Sequence, residues 1–189
     1  GSEMCIRDSN ITLDRNVDDA QAIFESLNST GKELSESDLI RNYVLMGLEP
    51  SEQTYVYEHL WRPMEQLFVY ETQGSVMDAF FRHYLTMKFS RIPKQGRVYE
   101  EFKLYHLNCE FGSIRELCQD LLEYAKYYTN IVFKRNSDTD LRRLYEDMID
   151  LRMEVSYPFL LKIHHDCTEG LITSDELKEI LELCISYVP

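Results

Sequence analysis

Four adjacent side chains, His164, His165, Asp166 and Cys167, offer imidazole, carboxylate and thiolate to a metal ion. Successive residues of a helix point about 100° apart, so the four cannot converge on one ion and are expected to form a helix-end cluster. Gly170 and Glu176 have the spacing of the glycine and the bidentate glutamate of a calcium-binding loop. In that register His165 and Cys167 stand where oxygen donors belong, so the pair reads as a helix cap. Glu58-His59 ahead of Pro63 joins a carboxylate to an imidazole, yet no Asn and second His follow at useful spacing, and it is expected on a helix surface. A metal-dependent hydrolase using His164, His165 and Glu58 is therefore disfavoured. The sequence holds no H-E-x-x-H, no G-x-S-x-G, no phosphate-binding glycine loop and no dinucleotide fingerprint. No catalytic residue and no metal ligand is assigned.

The chain has 189 residues, 20 Lys and Arg against 33 Asp and Glu, and a net charge of −13. That long-range field repels phosphate and argues against nucleic-acid binding over the whole surface. One segment departs from it: Arg82, Lys88, Arg91, Lys94, Arg97 and Lys103 face only Glu100 and Glu101, with Phe81, Tyr84, Phe89 and Tyr99 interleaved. Such an island can touch DNA or an acidic neighbouring domain; a solvated loop whose aromatics are core is the favoured alternative. The five cysteines are widely spaced with no C-x-x-C pair, which reads as reduced, packed thiols. No apolar run is long enough to span a bilayer, so the chain is expected to be cytoplasmic, with no membrane partner.

The elements that must position these residues are almost all helical. Residues 1–10 carry no amphipathic pattern and read as a tag or foreign leader. Residues 11–14 alternate, as a short strand or extended lead-in would. Ala20, Ile23, Phe24 and Leu27 share one helical face, Asn28 to Lys32 form a turn, and Ser35-x-x-Asp38 opens a second helix that Gly47 ends, completing a hairpin. Pro50 suits a first helical turn, and Pro63 is expected to kink or restart that helix near Trp61. Further helices are expected from Met77 to before Pro93, across Val98 to Leu107, and from the boxes Ser113-x-x-Glu116, Ser137-x-x-Asp140 and Thr173-x-x-Glu176, with another at Pro158. The helix after Ser113 carries the longest apolar stripe and is expected at the centre. The fold class is all-α, a bundle of about eight helices.

The segment Ala22-Ile-Phe-Glu-Ser-Leu-Asn28-Ser-Thr-Gly31-Lys-Glu-Leu34-Ser-Glu-Ser-Asp38-Leu-Ile-Arg41-Asn42 resembles the signature Phe-Glu-x-Leu-Asn-x-x-Gly-x-x-Leu-x-x-x-Asp-Leu-Ile-Arg-Asn of the domain of unknown function 262 family. These are GmrSD-like proteins of bacterial restriction and phage defence. Tyr84-Leu-Thr-Met, Tyr99-Glu-Glu-Phe102-Lys and Tyr157-Pro-Phe-Leu-Leu161 resemble the helical portion that follows the signature. The resemblance implies a tail of a ParB/sulfiredoxin-like domain over residues 11–48 and a helical bundle over 49–189. It also implies a parent with an Asp-Gly-Gln-Gln-Arg nucleotide domain before the chain and a His-Asn-His nuclease after it. Neither is present, so the fragment itself is expected to be non-catalytic and to hold no cofactor. A nucleoside triphosphate and a divalent metal belong to the parent. Its partners are then those missing domains, and DNA through them. Asn28, Ser29, Thr30, Gly31 and Arg41 would form one wall of the nucleotide pocket, the turn through amide, hydroxyl and backbone groups and Arg41 through its guanidinium. Against this stands a local account in which Asn28 caps, Gly31 turns, and Arg41 pairs with Asp38 or Glu36. The alternative from another class is a stand-alone helical scaffold that binds protein partners through an aromatic-rich surface.

Overall fold

A computed structural model describes residues 34–69, 75–109 and 111–187. The chain divides into two compact units, Gly1–Leu34 and Ser35–Pro189. The strand expected at residues 11–14, the helix from Ala20 to Leu27 and the turn from Asn28 to Lys32 lie outside the described residues. The second unit begins with the helix of Asp38 and Arg41.

Among the described residues there are eight helices and no strand. Helix α1 spans Glu36–Leu45. Helix α2 is assembled from Pro50–Val56, a wider π turn at Tyr57–Trp61, and Arg62–Phe68. Then follow α3 (Ser75–Phe89), α4 (Val98–Asn108), α5 (Ile114–Val132), α6 (Thr139–Asp150), α7 (Tyr157–Thr168) and α8 (Ser174–Ser186). The expected all-α bundle is therefore what forms.

Local chemistry sets the starts. Ser35 Oγ accepts from the Asp38 amide at 3.1 Å while the Asp38 carboxylate accepts from the Ser35 amide, a complete capping box. Thr173 and Glu176 make the same reciprocal pair at α8, and Gly170 ends α7 at φ +72°, so the apparent calcium loop is a helix stop followed by a helix start. At α5 the box is half made: Ser113 caps Glu116, but the Glu116 carboxylate turns to the Gly112 amide. At α6 the cap is Asp138, one residue later than the spacing from Ser137 to Asp140 predicts. Its carboxylate accepts from the amides of Asp140 and Leu141 and also meets Lys178 of α8 at 2.7 Å, a tertiary partner Ser137 lacks. That ammonium and the two amides hold the Asp138 carboxyl below its usual range.

Two caps come from other helices. Asp78 of α3 accepts from the Ser37 amide in the first turn of α1 at 2.7 Å, and Glu36 of α1 accepts from the Tyr99 amide in the first turn of α4 at 2.6 Å. Each places a carboxylate against the positive end of a neighbour.

Pro63 acts as expected. It has no N–H and its ring crowds the carbonyl four residues back, so the turn before it widens, with the Arg62 amide bonding Tyr57 O. The widened turn keeps Leu60 and Trp61 buried.

The core lies around two helices rather than one. Helix α5 packs on α2, α3, α6 and α7, but the aromatic α3 packs on α1, α2, α4, α5 and α7. Phe80, Phe81, Tyr84 and Leu85 of α3 are fully buried. Phe81 stacks on Trp61 at 6.0 Å between ring centres, and Phe80 meets Tyr128 of α5 at 5.5 Å, distances at which aromatic pairs add to their area burial.

Arg152 ends α6 at φ +54°, in the left-handed region that disfavours a side chain. Replacing it by glycine is expected to stabilise the chain by about 0.5–1 kcal/mol, the relieved strain less the added freedom of the unfolded glycine. A higher urea midpoint at unchanged slope checks it.

Candidate functional site

Of the residues expected at a pocket wall, Asn28, Ser29, Thr30 and Gly31 lie outside the described residues. Arg41 stands on α1, with its side chain 36% exposed, Nη2 at 3.5 Å from Asp38 Oδ1 and Nη1 at 3.3 Å from Glu65 Oε1. The same Glu65 oxygen accepts from the Trp61 indole at 2.8 Å. The Asp38 contact is the one the helical spacing anticipates; Glu65 comes from α2 and has no sequence signal. Arg41 is thus a guanidinium held between two carboxylates at the bundle surface.

The structure distributes the basic segment over separate partners. Arg82 Nε donates to Pro93 O at 3.1 Å and folds the loop after α3 back on its helix. Arg91 pairs with Glu101, and Arg97 pairs with Glu100 across one turn. Lys94 is exposed. Of the interleaved aromatics, Phe81, Tyr84 and Tyr99 are buried, as the loop-and-core alternative requires.

Lys88 is set apart from these. Its ammonium lies 2.9 Å from Asp120 Oδ2, with the two side chains only 21% and 19% exposed, and over the rings of Tyr84, Tyr124 and Phe111 at 5.2, 4.7 and 5.8 Å. Tyr84 also donates its hydroxyl to Asp120, and Tyr105 stands 3.3 Å from the Tyr84 oxygen. Burial, with Asp120 and Tyr105 beside it, pushes the Tyr84 phenol well up, so it stays a donor. One carboxylate therefore joins α3 to α5 by serving a cation and a phenol together. Asp120→Ala is expected to cost about 2 kcal/mol, because an ammonium and a hydroxyl are left without their partner in a poorly hydrated setting. Adding Lys88→Met should recover part of that loss in urea unfolding; additive losses would mean the pair is not coupled.

The adjacent histidines of α7 separate as helical geometry demands. His164 is buried, with Nε2 at 2.6 Å from the Tyr145 hydroxyl and Nδ1 at 2.7 Å from Leu160 O. The Leu160 carbonyl can only accept, so Nδ1 carries the proton and Nε2 accepts from the phenol. Burial holds the His164 imidazole below its usual value. With both nitrogens engaged it has none for a metal. His165 instead faces α5, its ring stacked on Tyr124 at 5.4 Å and 6°. There it approaches Glu123 of α5 and Glu169, the residue that closes α7. Glu123 Oε1 accepts from the Tyr127 hydroxyl at 2.5 Å, and Glu123, Lys126, Tyr127, Gln119 and Thr168 line a cleft of about 470 Å³. Glu58 is exposed on α2, and His59 stacks on Tyr55 at 4.6 Å.

No motif in the sequence marks Glu123, Glu169 or Asp120. The four-residue step from His165 to Glu169 is visible in the sequence; the approach of α5 is not. The described cysteines Cys109, Cys118, Cys167 and Cys184 are free thiols, and burial pushes Cys118 up to about 12. No described helix is long and apolar enough to cross a membrane. The chain matches no protein-family model, no curated protein and no solved structure at a significant level.

Proposed function

We propose that this chain is a non-catalytic helical module of a GmrSD-like restriction or phage-defence protein, coupling a nucleotide-binding domain to a DNA-cleaving domain. The observation that carries the reading is the signature from Ala22 to Asn42, about a dozen positions at fixed spacing. Its second half, from Ser35 onward, is the capped start of α1, where Asp38 and Glu65 orient Arg41. A guanidinium fixed from two helices presents its remaining N–H groups in one geometry, which suits a phosphate or carboxylate better than a mobile one. By the resemblance alone, Asn28, Ser29, Thr30 and Gly31 would also bind the nucleotide, and the nucleoside triphosphate and divalent metal would be held by the parent's other domains. DNA contact through Arg82, Lys88, Arg91, Lys94 and Arg97 is a secondary part of the proposal. Lys94 is exposed, whereas Lys88 is engaged with Asp120.

The deciding experiment is nucleotide binding by the complete parent with Arg41→Ala and Asn28→Ala. Loss of binding at unchanged melting temperature supports the pocket wall; unchanged binding returns both residues to local structural roles. Charge reversal of Arg91, Lys94 and Arg97 that leaves low-salt DNA affinity untouched removes the DNA contact.

A second reading, a scaffold for protein partners, rests on Leu151, Val155 and Phe159, which expose 42%, 83% and 48% of their surface around the junction of α6 and α7. A parent reading frame with an Asp-Gly-Gln-Gln-Arg motif upstream and a nuclease motif downstream favours the first reading. Its absence favours the second.

A further inference from the structure

Glu123, His165 and Glu169 offer one imidazole nitrogen and two carboxylate oxygens that all lie within 4.8 Å of one another. His165 and Glu169 stand one turn apart, so they share a face, and Glu123 approaches from α5, which packs directly on α7. Several features of the group are unfavourable without a cation. His165 Nδ1 is buried and has no hydrogen-bond partner, which ordinarily costs a folded protein stability. Asp166 Oδ1 is 3.8 Å from it, beyond hydrogen-bond range, and the Asp166 carboxylate is taken by Lys162. Glu169 sits at the C-terminal end of α7, where the helix's own carbonyls repel a carboxylate. Glu123 adds a second negative charge and has one oxygen committed to Tyr127. A cation held by a ring nitrogen of His165 would offset the charge of both carboxylates and the repulsion at the end of α7.

We propose that Glu123, His165 and Glu169 bind a divalent transition-metal ion of the zinc class and so clamp α5 to α7. An imidazole nitrogen with two carboxylates suits Zn²⁺ and its neighbours, whereas Ca²⁺ and Mg²⁺ take oxygen ligands. Bonds of about 2.1 Å to a tetrahedral ion put ligand atoms roughly 3.4 Å apart, so atoms now within 4.8 Å must draw in by up to about 1.4 Å. Glu169 is exposed and free to turn inward. Three protein ligands leave one position of a tetrahedral ion for water or a small anion. Glu123 also lines the neighbouring cleft, which gives such a molecule a way in. The proposal does not depend on the reading of the whole protein given above.

The test uses the full chain stripped of metal and titrated with Zn²⁺ and with Co²⁺. One ion per chain at micromolar or tighter affinity is expected, with a higher melting temperature in excess Zn²⁺, no shift with Mg²⁺, and a cobalt spectrum without sulfur charge transfer. Glu169→Gln, a surface change that leaves the fold intact, should weaken binding at least about tenfold, and His165→Ala should abolish it. Equal affinity in Glu169→Gln overturns the site, as does a sulfur-to-cobalt band that disappears in Cys167→Ser, or no Zn²⁺ binding below millimolar concentration.

Discussion

Trp61→Ala is expected to cost about 3–5 kcal/mol, the range for emptying a large aromatic site in a packed core. The indole is 1% exposed, lies parallel to Phe81 at 6.0 Å, and sits in the widened turn that Pro63 imposes on α2. Its N–H also holds Glu65, which in turn holds Arg41. The loss should therefore have two parts. Trp61→Phe keeps most of the apolar volume but loses the donor and part of the ring, so it should cost about 1–2 kcal/mol. Urea unfolding measures both, and a midpoint shift without a change in slope identifies lost stability rather than a changed denatured state. A cost below about 1 kcal/mol for the alanine variant would mean that the site collapses around the gap and that the stacking contributes little.

The second large effect is on acid stability. His83 packs against both Tyr128 and Tyr157, with ring centres at 5.9 and 5.3 Å, and burial, followed by the charge of Arg82, lowers its pKa to about 4. The folded state disfavours the charged imidazole, so below pH about 6.5 the unfolded chain takes up the proton more readily. Stability is full above that pH and falls as the pH drops toward 4. The loss from His83 alone reaches at most about 3 kcal/mol, at 1.36 kcal/mol per unit of pKa difference. His164 and His106, also lowered by burial, contribute in the same direction. His83→Phe should flatten the stability profile between pH 6.5 and 4 and leave it unchanged above pH 7. An equally steep profile in that variant would assign the acid response elsewhere.

Helix positions were legible because their causes are local. A cap and an apolar stripe lie within a few residues of each other, and α1, α5 and α8 start where their Ser or Thr stands. The start of α6 lies one residue past the position the Ser137 spacing predicts because Ser137 and Asp138 are both competent caps, and Lys178 from α8 adds a partner to the second. The shared centre of the bundle was hidden for a related reason. Periodicity ranks α5 above α3, while the number of neighbours a helix touches is a property of packing. The candidate sites divide along the same line. Arg41 beside Asp38 could be read from helical spacing; Glu65 could not. The basic run looked continuous in sequence, but Lys88 turns inward to Asp120 while Arg91 and Arg97 pair along the surface. Chain adjacency groups His165 with His164, Asp166 and Cys167, whereas the helix associates it with Glu169 and the fold adds Glu123.

The carboxylates that Asp78 and Glu36 lend to α1 and α4 make the first turn of each helix conditional on the placement of another. Fraying of either start cannot proceed alone, since it strands an acid on the helix that supplied it. Hydrogen exchange at the Ser37 and Tyr99 amides should accordingly follow global opening, giving helix beginnings the protection usually found only at mid-helix.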